Sequence, residues 1–326
     1  MKLAFIAPSE SPCPPKGYGG VERIVAIYVE ELVKRGHKVD LYAAPGGECN
    51  TTRSFFCPKP HIVEGEKWLV NCLNAQKSNY DCIVDFGACH FASQNINLPN
   101  VAVFSGDVFK TYPHQGIRNR VYISKRFAKY CNSPNNPILY NPLDRNPANK
   151  YPLGDGNGDY ALVVGIAKKS KGIHIAANAA YNAGIGLKIA GNIKDINYLK
   201  QWCNLPNIEH VGRIEDGEEK EKLYGDAIVL LHCPVLSDAY SLVPIEAQVC
   251  GTPVVATSSG GHVEFILPGV TGYISDNVEE ISSLIWKAGM LDRELIRKLA
   301  LEKVKVEPKV DILESLCKRA ILGETW

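Results

Sequence analysis

What most constrains this chain is an alternation of strand-like and helix-like segments that runs once, breaks, and runs again. KLAFIAP, KVDLYAAP, YDCIVDFG, NVAVFSG and RVYISK are short apolar runs bounded by turn residues, and each reads as a buried strand. Between the first two, YGGVERIVAIYVEELVKRGH repeats Ile24, Ile27, Tyr28 and Leu32 at helical spacing. Glu30, Glu31, Lys34 and Arg35 fall on the outward face, and Gly36 ends the helix. Strands alternating with helices predict a parallel sheet joined by right-handed crossovers. Residues 141–159, NPLDRNPANKYPLGDGNGD, carry no apolar period and read as an interdomain linker. The pattern then restarts, with strands at YALVVGI, LKIAG, IEHVGRI, IVLLHCP and PVVAT. Helices are predicted at GIHIAANAAYNAG, EKEKLYGDA, LVPIEAQVCG and NVEEISSLIWKAG. Two α/β units in series are expected, with a cleft between them and ligands at the carboxyl ends of the strands.

Length and charge agree with this reading. A chain of 326 residues exceeds one ordinary core and suits two domains. Lys and Arg total 36 against 35 for Asp and Glu, so no basic field points to nucleic acid. The eleven cysteines are odd in number and form no CxxC pair, which argues against a zinc site or a secreted disulfide framework and for a reducing cytoplasm. MKLAFIAPSE has too short an apolar core for a signal peptide, and no apolar run reaches the roughly 18 residues of a spanning helix.

Three segments carry chemistry. In PPKGYGGVERIV, Gly17, Gly19 and Gly20 stand between the first strand and the first helix, where backbone can approach a ligand beside a helix start. The spacing is not GxGxxG, which lowers the prospect of a nicotinamide or flavin enzyme; a plain strand-to-helix turn fits as well. In VVGIAKKSKGIHIA a strand ends at Gly165, and Lys168, Lys169 and Lys171 follow as candidate point charges for a diphosphate or as a solvated basic loop. In SDAYSLVPIEAQVCGTPVVA, Pro244 sits in the first helical turn, leaving the amides of Ser241, Leu242 and Val243 to bind phosphate. Glu246, flanked by Ile245 and Ala247, needs hydrogen-bond partners that ribose hydroxyls would supply, and Asp238 precedes the helix by a few residues. The bland alternative is an acid favouring the helix dipole and a snorkelling glutamate.

Taken together these residues resemble retaining nucleotide-sugar glycosyltransferases of family 4, glycosyl transferases group 1, with the GT-B fold. The opening IAPSESPCPPKGYGGVERIVAIYVEELVKRGHKVDLYAAPGG, the Lys171-Gly172 loop, LKIAG, VGRI, the Asp238-to-Glu246 motif ending EAQVCGTPVVATSSGG, and PGVTGYI follow in the family's order over nearly the whole chain. The resemblance implies an α/β fold of two Rossmann-like, doubly wound parallel-sheet domains facing across a cleft. The division expected is 1–145 for an acceptor-side domain, 146–158 for a linker, 159–305 for the nucleotide-sugar domain, and 306–326 for a helix crossing back.

The implied activity moves a sugar from a nucleoside diphosphate donor, UDP- or GDP-linked, to a glycan, lipid-linked or small-molecule acceptor. Retention of configuration is implied, and no cofactor or required metal. Asp238 and Lys171 would be catalytic, while Gly19, Gly20, Gly165, Lys168, Ser241, Leu242, Val243 and Glu246 would bind the donor. Ser105, Asp107, His90 and His262 are candidate contacts to sugar or acceptor. A cytoplasmic protein, peripheral to a membrane where the acceptor is lipid-linked, is expected; nucleic acid is not, and the oligomeric state is unspecified.

The chain departs from the family at four points. Ile166 replaces an arginine after the loop glycine, Ser105 falls where the family has a histidine, and Ser241 replaces a glycine before the helix. The first acid of the motif is Asp238 where glutamate is usual. Ile166 and Ser105 favour one rival, a non-catalytic binder of nucleotide sugars or glycans, and a nucleotide-sugar epimerase of the same fold is the second. His37, His174, His210 and His232 carry no spaced partner and read as structural.

Overall fold

The computed structural model describes all residues except 18, 107–115, 216 and 237. The chain divides into two compact units, the first formed by Met1–Arg145 with Lys305–Trp326 and the second by Asn146–Val304.

The first unit holds β1 (Lys2–Ile6), β2 (Lys38–Ala43), β3 (Arg53–Phe56), β4 (Cys82–Asp85), β5 (Asn100–Phe104) and β6 (Arg120–Tyr122). They form one parallel sheet in the order β3-β2-β1-β4-β5-β6. Its helices are α1 (Gly20–Lys34), α2 (Glu64–Asn74), α3 (Phe91–Asn95) and α4 (Lys125–Tyr130). The second unit opens with α5 (Pro147–Lys150) and holds β7 (Tyr160–Val164), β8 (Gly186–Ala190), β9 (Ile208–Gly212), β10 (Val229–His232), β11 (Val254–Ala256) and β12 (Gly272–Ile274). Its helices continue as α6 (Ile173–Ala183), α7 (Ile196–Cys203), α8 (Glu218–Asp226), α9 (Val243–Val249), α10 (Val278–Gly289) and α11 (Arg293–Val304). The sheet order is β12-β11-β10-β7-β8-β9, again parallel throughout. Counted from its own first strand, that is the order of the first unit read from the other edge. Both sheets therefore reverse direction beside their first strand, between β1 and β4 and between β7 and β10, where open α/β sheets bind ligands.

The strands are the buried apolar runs expected for sheets covered on both faces: Leu3, Phe5 and Ile6 in β1, and Ala161, Leu162 and Leu231 in β7 and β10, are sealed from solvent. Gly36 ends α1 at φ +86°, as its position predicts. Glu31 differs from its predicted outward placement. It is buried, held by Lys34 at 3.4 Å and Arg35 at 3.5 Å. The final helix, α12 (Glu307–Ile321), covers this corner of the first unit: Arg35 reaches Asp311 at 2.7 Å, and His37 Nε2 meets Glu314 Oε1 at 2.5 Å. The segment read as a linker is packed into the second unit, with Tyr151 buried and the Gly154 amide donating to Cys250 O at 2.9 Å. Among the described residues all eleven cysteines are unbridged thiols, and Cys82, Cys233 and Cys250 are buried as small hydrophobes. No described helix is long and apolar enough to cross a membrane.

Candidate functional site

At the reversal point of the second sheet, the loops after β7 and β10 are laced together. The loop after β7 passes Gly165 and Lys168, makes one tight turn over Lys169–Lys171, and ends at Gly172 with φ +68°. A Cβ on Gly172 would stand 1.6 Å from Cys233 O, so only glycine lets this loop run against the end of β10. The Val235 amide donates to Ser170 O at 2.9 Å and closes the lacing.

This loop aims Lys171 at the loop after β10, where its Nζ donates to Asp238 Oδ2 at 2.9 Å. The pair is partly open, with side chains 30% and 20% exposed. Burial pushes the Asp238 carboxyl up, but Lys171, His232 and His262 together hold it below the usual carboxylate range. Lys168 sits in the same field. Burial lowers its ammonium, and Lys171 and Lys194 add like-charge repulsion. Lys194 enters from the loop after β8, whose backbone bridges that of the β7 loop at Ala167 and Ile193. Lys169 is exposed, and its charge acts on His174. The sequence reading did not include Lys194, although its position just past a strand's carboxyl end is the signal that would have found it.

The start of α9 completes the notch. Ser241 holds φ +37°, a left-handed conformation that glycine adopts freely and serine does not. Ser241, Leu242 and Val243 are partly exposed, and Pro244 stands in the first turn. Among the described residues no acceptor meets the amides of 241, 242 or 243. Unfilled amides at a helix start suit an anion.

Two residues assigned to ligand contact are turned inward. Glu246 is 3% exposed, and its carboxylate is satisfied by the protein: Tyr151 donates to Oε1 at 3.1 Å, Tyr224 to Oε2 at 2.8 Å, and Lys220 lies 3.0 Å from Oε2. The partners expected from ribose hydroxyls are thus tyrosine hydroxyls and an ammonium, because α8 and the 151–154 segment close over this face of α9. His262 is fully buried, its Nε2 2.8 Å from Thr257 O, because the Gly261–Glu264 turn folds the ring into the core. Conversely His232, read as structural, ends β10 beside Asp238 and lies edge-to-face against His262 with centroids 4.6 Å apart.

The first unit has a cavity of about 190 Å³ at its own reversal point, lined after β1, β4 and β5 by Glu10, Gly87, His90, Ser105 and Gly106, with Glu22 from α1. Gly20 starts α1, and Gly19 before it is buried against Pro15 and Glu22. Burial, with Glu10 nearby, raises the Glu22 carboxyl to about 6. His90 holds φ +52°, stacks on Phe104 at 4.3 Å and faces Asp85 with Nδ1 3.5 Å from Oδ1. Behind it Glu66, fully buried, accepts the Cys89 and Phe91 amides at 2.9 Å each. Burial first, then Asp85, raise the Glu66 carboxyl to about 7. Glu66 and Asp85 went unnoticed in the sequence because nothing in their local spacing joins positions brought together by the sheet. Asp107 lies outside the described residues.

A cavity of about 540 Å³ lies at the opposite, amino end of the second sheet, lined by Asp155, Glu218, Glu221, Asp226 and Arg293 among others. The Arg293 guanidinium is spent on Gly154 O, Gly225 O, Ala227 O and Thr252 Oγ1. Lys222 is paired with Asp226 at 2.9 Å, and the remaining acids Asp155, Glu218 and Glu221 would repel a diphosphate, so this hollow does not compete with the lysine-lined notch. No group of three or more His, Cys, Asp or Glu side chains among the described residues is arranged to hold a metal ion.

Comparisons with known proteins reach this unit and beyond it. Residues 148–293 match the family model described as Glycosyl transferases group 1. The chain is 25% identical over 312 residues to an uncharacterized glycosyltransferase of Methanocaldococcus jannaschii, covering 84% of this chain and 86% of the relative. Among solved structures it resembles AviGT4, a glycosyltransferase involved in avilamycin A biosynthesis, with TM-score 0.81, 21% identity, and 100% and 99% of the two chains covered. It also resembles Anabaena HepE in complex with UDP-glucose, with TM-score 0.72, 17% identity, and 98% and 100% covered. The fold is that of the GT-B glycosyltransferases, and the glycosyl transferases group 1 match falls on the unit that holds the lysine notch.

Proposed function

We propose that this protein is a retaining, family 4 glycosyltransferase that takes its sugar from a nucleoside diphosphate donor. The observation that carries the reading is the convergence of Lys168, Lys171 and Lys194 with the unfilled amides of 241–243 at the reversal point of a sheet matched by the glycosyl transferases group 1 model. A nucleotide sugar would place its diphosphate in this notch. The bond from the anomeric carbon to the phosphate oxygen breaks, negative charge grows on the departing diphosphate, and the fixed cations and amides stabilise it. Asp238 holds the Lys171 ammonium in place until the donor arrives. Because the chain's own lysines supply the counter-charge, a bound metal is not required in this proposal.

The donor is UDP- or GDP-linked in this proposal. The UDP and UDP-glucose found with Anabaena HepE support testing the uridine donor first. The first unit's cavity, with His90 and Ser105 at its wall and the Glu22 carboxyl raised to about 6, suits a hydroxyl of the acceptor or of the sugar. A glycan or lipid-linked alcohol would fit that chemistry. A lipid-linked acceptor would bring the protein to a membrane surface from the cytoplasm.

The test is donor hydrolysis. UDP or GDP released from a UDP- or GDP-sugar, at a rate that EDTA leaves within about twofold and that Lys171→Ala lowers on the order of 100-fold, supports the reading. Ile166, in place of an arginine that could clamp phosphate with two hydrogen bonds, favours a second reading as a binder of nucleotide sugars. Binding with no release of nucleotide selects that second reading.

A further inference from the structure

We infer that His232 is a positioning residue that takes up a proton when the donor binds, replacing Lys171 as the positive neighbour of Asp238. The inference rests on the donor reading above and adds to it a proton-linked exchange of partners.

Lys171 serves two groups at once. It is bonded to Asp238 at 2.9 Å, and its charge is felt by His232 at the end of β10. His232 is 7% exposed, and among the described residues its Nε2 has no hydrogen-bond partner. A buried ring nitrogen left this way is at odds with the general satisfaction of buried polar groups, so such an atom asks for a role. The charged and titratable groups facing His232 are few and come from three elements: Asp238 in the loop after β10, Lys171 in the turn before α6, and His262 in the 261–264 turn. Lys168 and Lys194 stand behind Lys171. In the free protein burial disfavours the imidazolium, and His262 and Lys171 disfavour it further, with Asp238 the one opposing influence.

A diphosphate changes two of these influences in the same direction. Drawn to phosphate, the Lys171 ammonium is neutralised as a repeller of His232 and withdrawn as a partner of Asp238. The carboxylate, about four-fifths buried, is then short of a cation. Of the two histidines, His232 acts on Asp238 more strongly than His262 does, which makes it the group placed to supply the charge. Binding would raise the His232 pKa, and by linkage the donor would bind more tightly as pH falls. The sign follows from the direction of the shift: uptake on binding means that affinity is lost as pH rises through the bound-state pKa.

The experiment is titration calorimetry of the full chain with UDP-glucose and GDP-mannose at pH 5.5 to 8.5 in two buffers of different ionisation enthalpy. Nucleotide sugars are the right probes because their diphosphate, esterified at both ends, gains no proton in this range. The expected result is uptake approaching one proton per donor bound, with Kd rising up to about tenfold per pH unit. His232→Gln should bind with no uptake and a flat profile, and His174→Gln, on α6, should behave as wild type. Asp238→Asn provides a second route should His232→Gln fail to fold: it too should abolish uptake. Binding without proton uptake overturns the inference and leaves the donor reading standing, as does uptake that persists in either His232→Gln or Asp238→Asn. Absence of binding by any donor overturns both.

Discussion

Glu246 shows how far a residue's chemistry can be read from sequence and where the reading stops. A carboxylate between Ile245 and Ala247 in an apolar helix must have partners, and it has them in Tyr151, Tyr224 and Lys220. The need for partners was legible locally; their identity was not, because they come from segments 22 and more positions away. Glu246→Gln would remove the carboxylate charge facing the Lys220 ammonium, 13% exposed, and should destabilise the second unit by about 3 kcal/mol, read as a lowered urea midpoint. An unchanged midpoint would mean that the pair is not formed in solution. Glu66 belongs to the same class of hidden acid. Its carboxyl rises from 4.5 to about 7 on folding, so its contribution favours the folded state fully below 4.5 and is lost as pH climbs through 7. A carbon-13 titration of the glutamate carboxyls should show one midpoint near 7, and a set confined below 5 would refute the burial described for Glu66.

At the scale of elements, periodicity predicts the long pieces and fails on the short ones. β1, α1 and β7 announce themselves through buried runs or a helical repeat. β3 was not predicted: RSFF lies at the sheet edge with three of its four residues exposed, so it lacks both alternation and an apolar run. β12 is three residues long, and its paired neighbour β11 does more to define it than its own composition. Glycine placement was more informative. Gly172 was recognised in the lysine loop, and the structure supplies the reason: the Cys233 carbonyl leaves no room for a Cβ. Gly172→Ala should push the β7 and β10 loops apart, lowering donor affinity at least tenfold while far-UV circular dichroism stays unchanged. Wild-type affinity in this variant would show that the lacing of the loops does not shape the notch.

For the molecule as a whole, both units have one strand order, and each places its candidate site where that order reverses. The α/β class and the restart after residue 159 were readable from alternation alone, whereas the notch was only half readable. Lys171 and Asp238 stood out by type and position, but Lys194 and His232 joined them only once three strands were set side by side. The account rests on a diphosphate being held by that cluster. The direct measurement is a thermal-shift panel of UDP-, GDP- and ADP-sugars run on the wild type and on Lys171→Ala. The account predicts that one donor stabilises the wild type by about 2.7 kcal/mol at a hundredfold excess over Kd and that the variant loses most of the effect. A wild type indifferent to every donor, or a variant stabilised as strongly as the wild type, would contradict it.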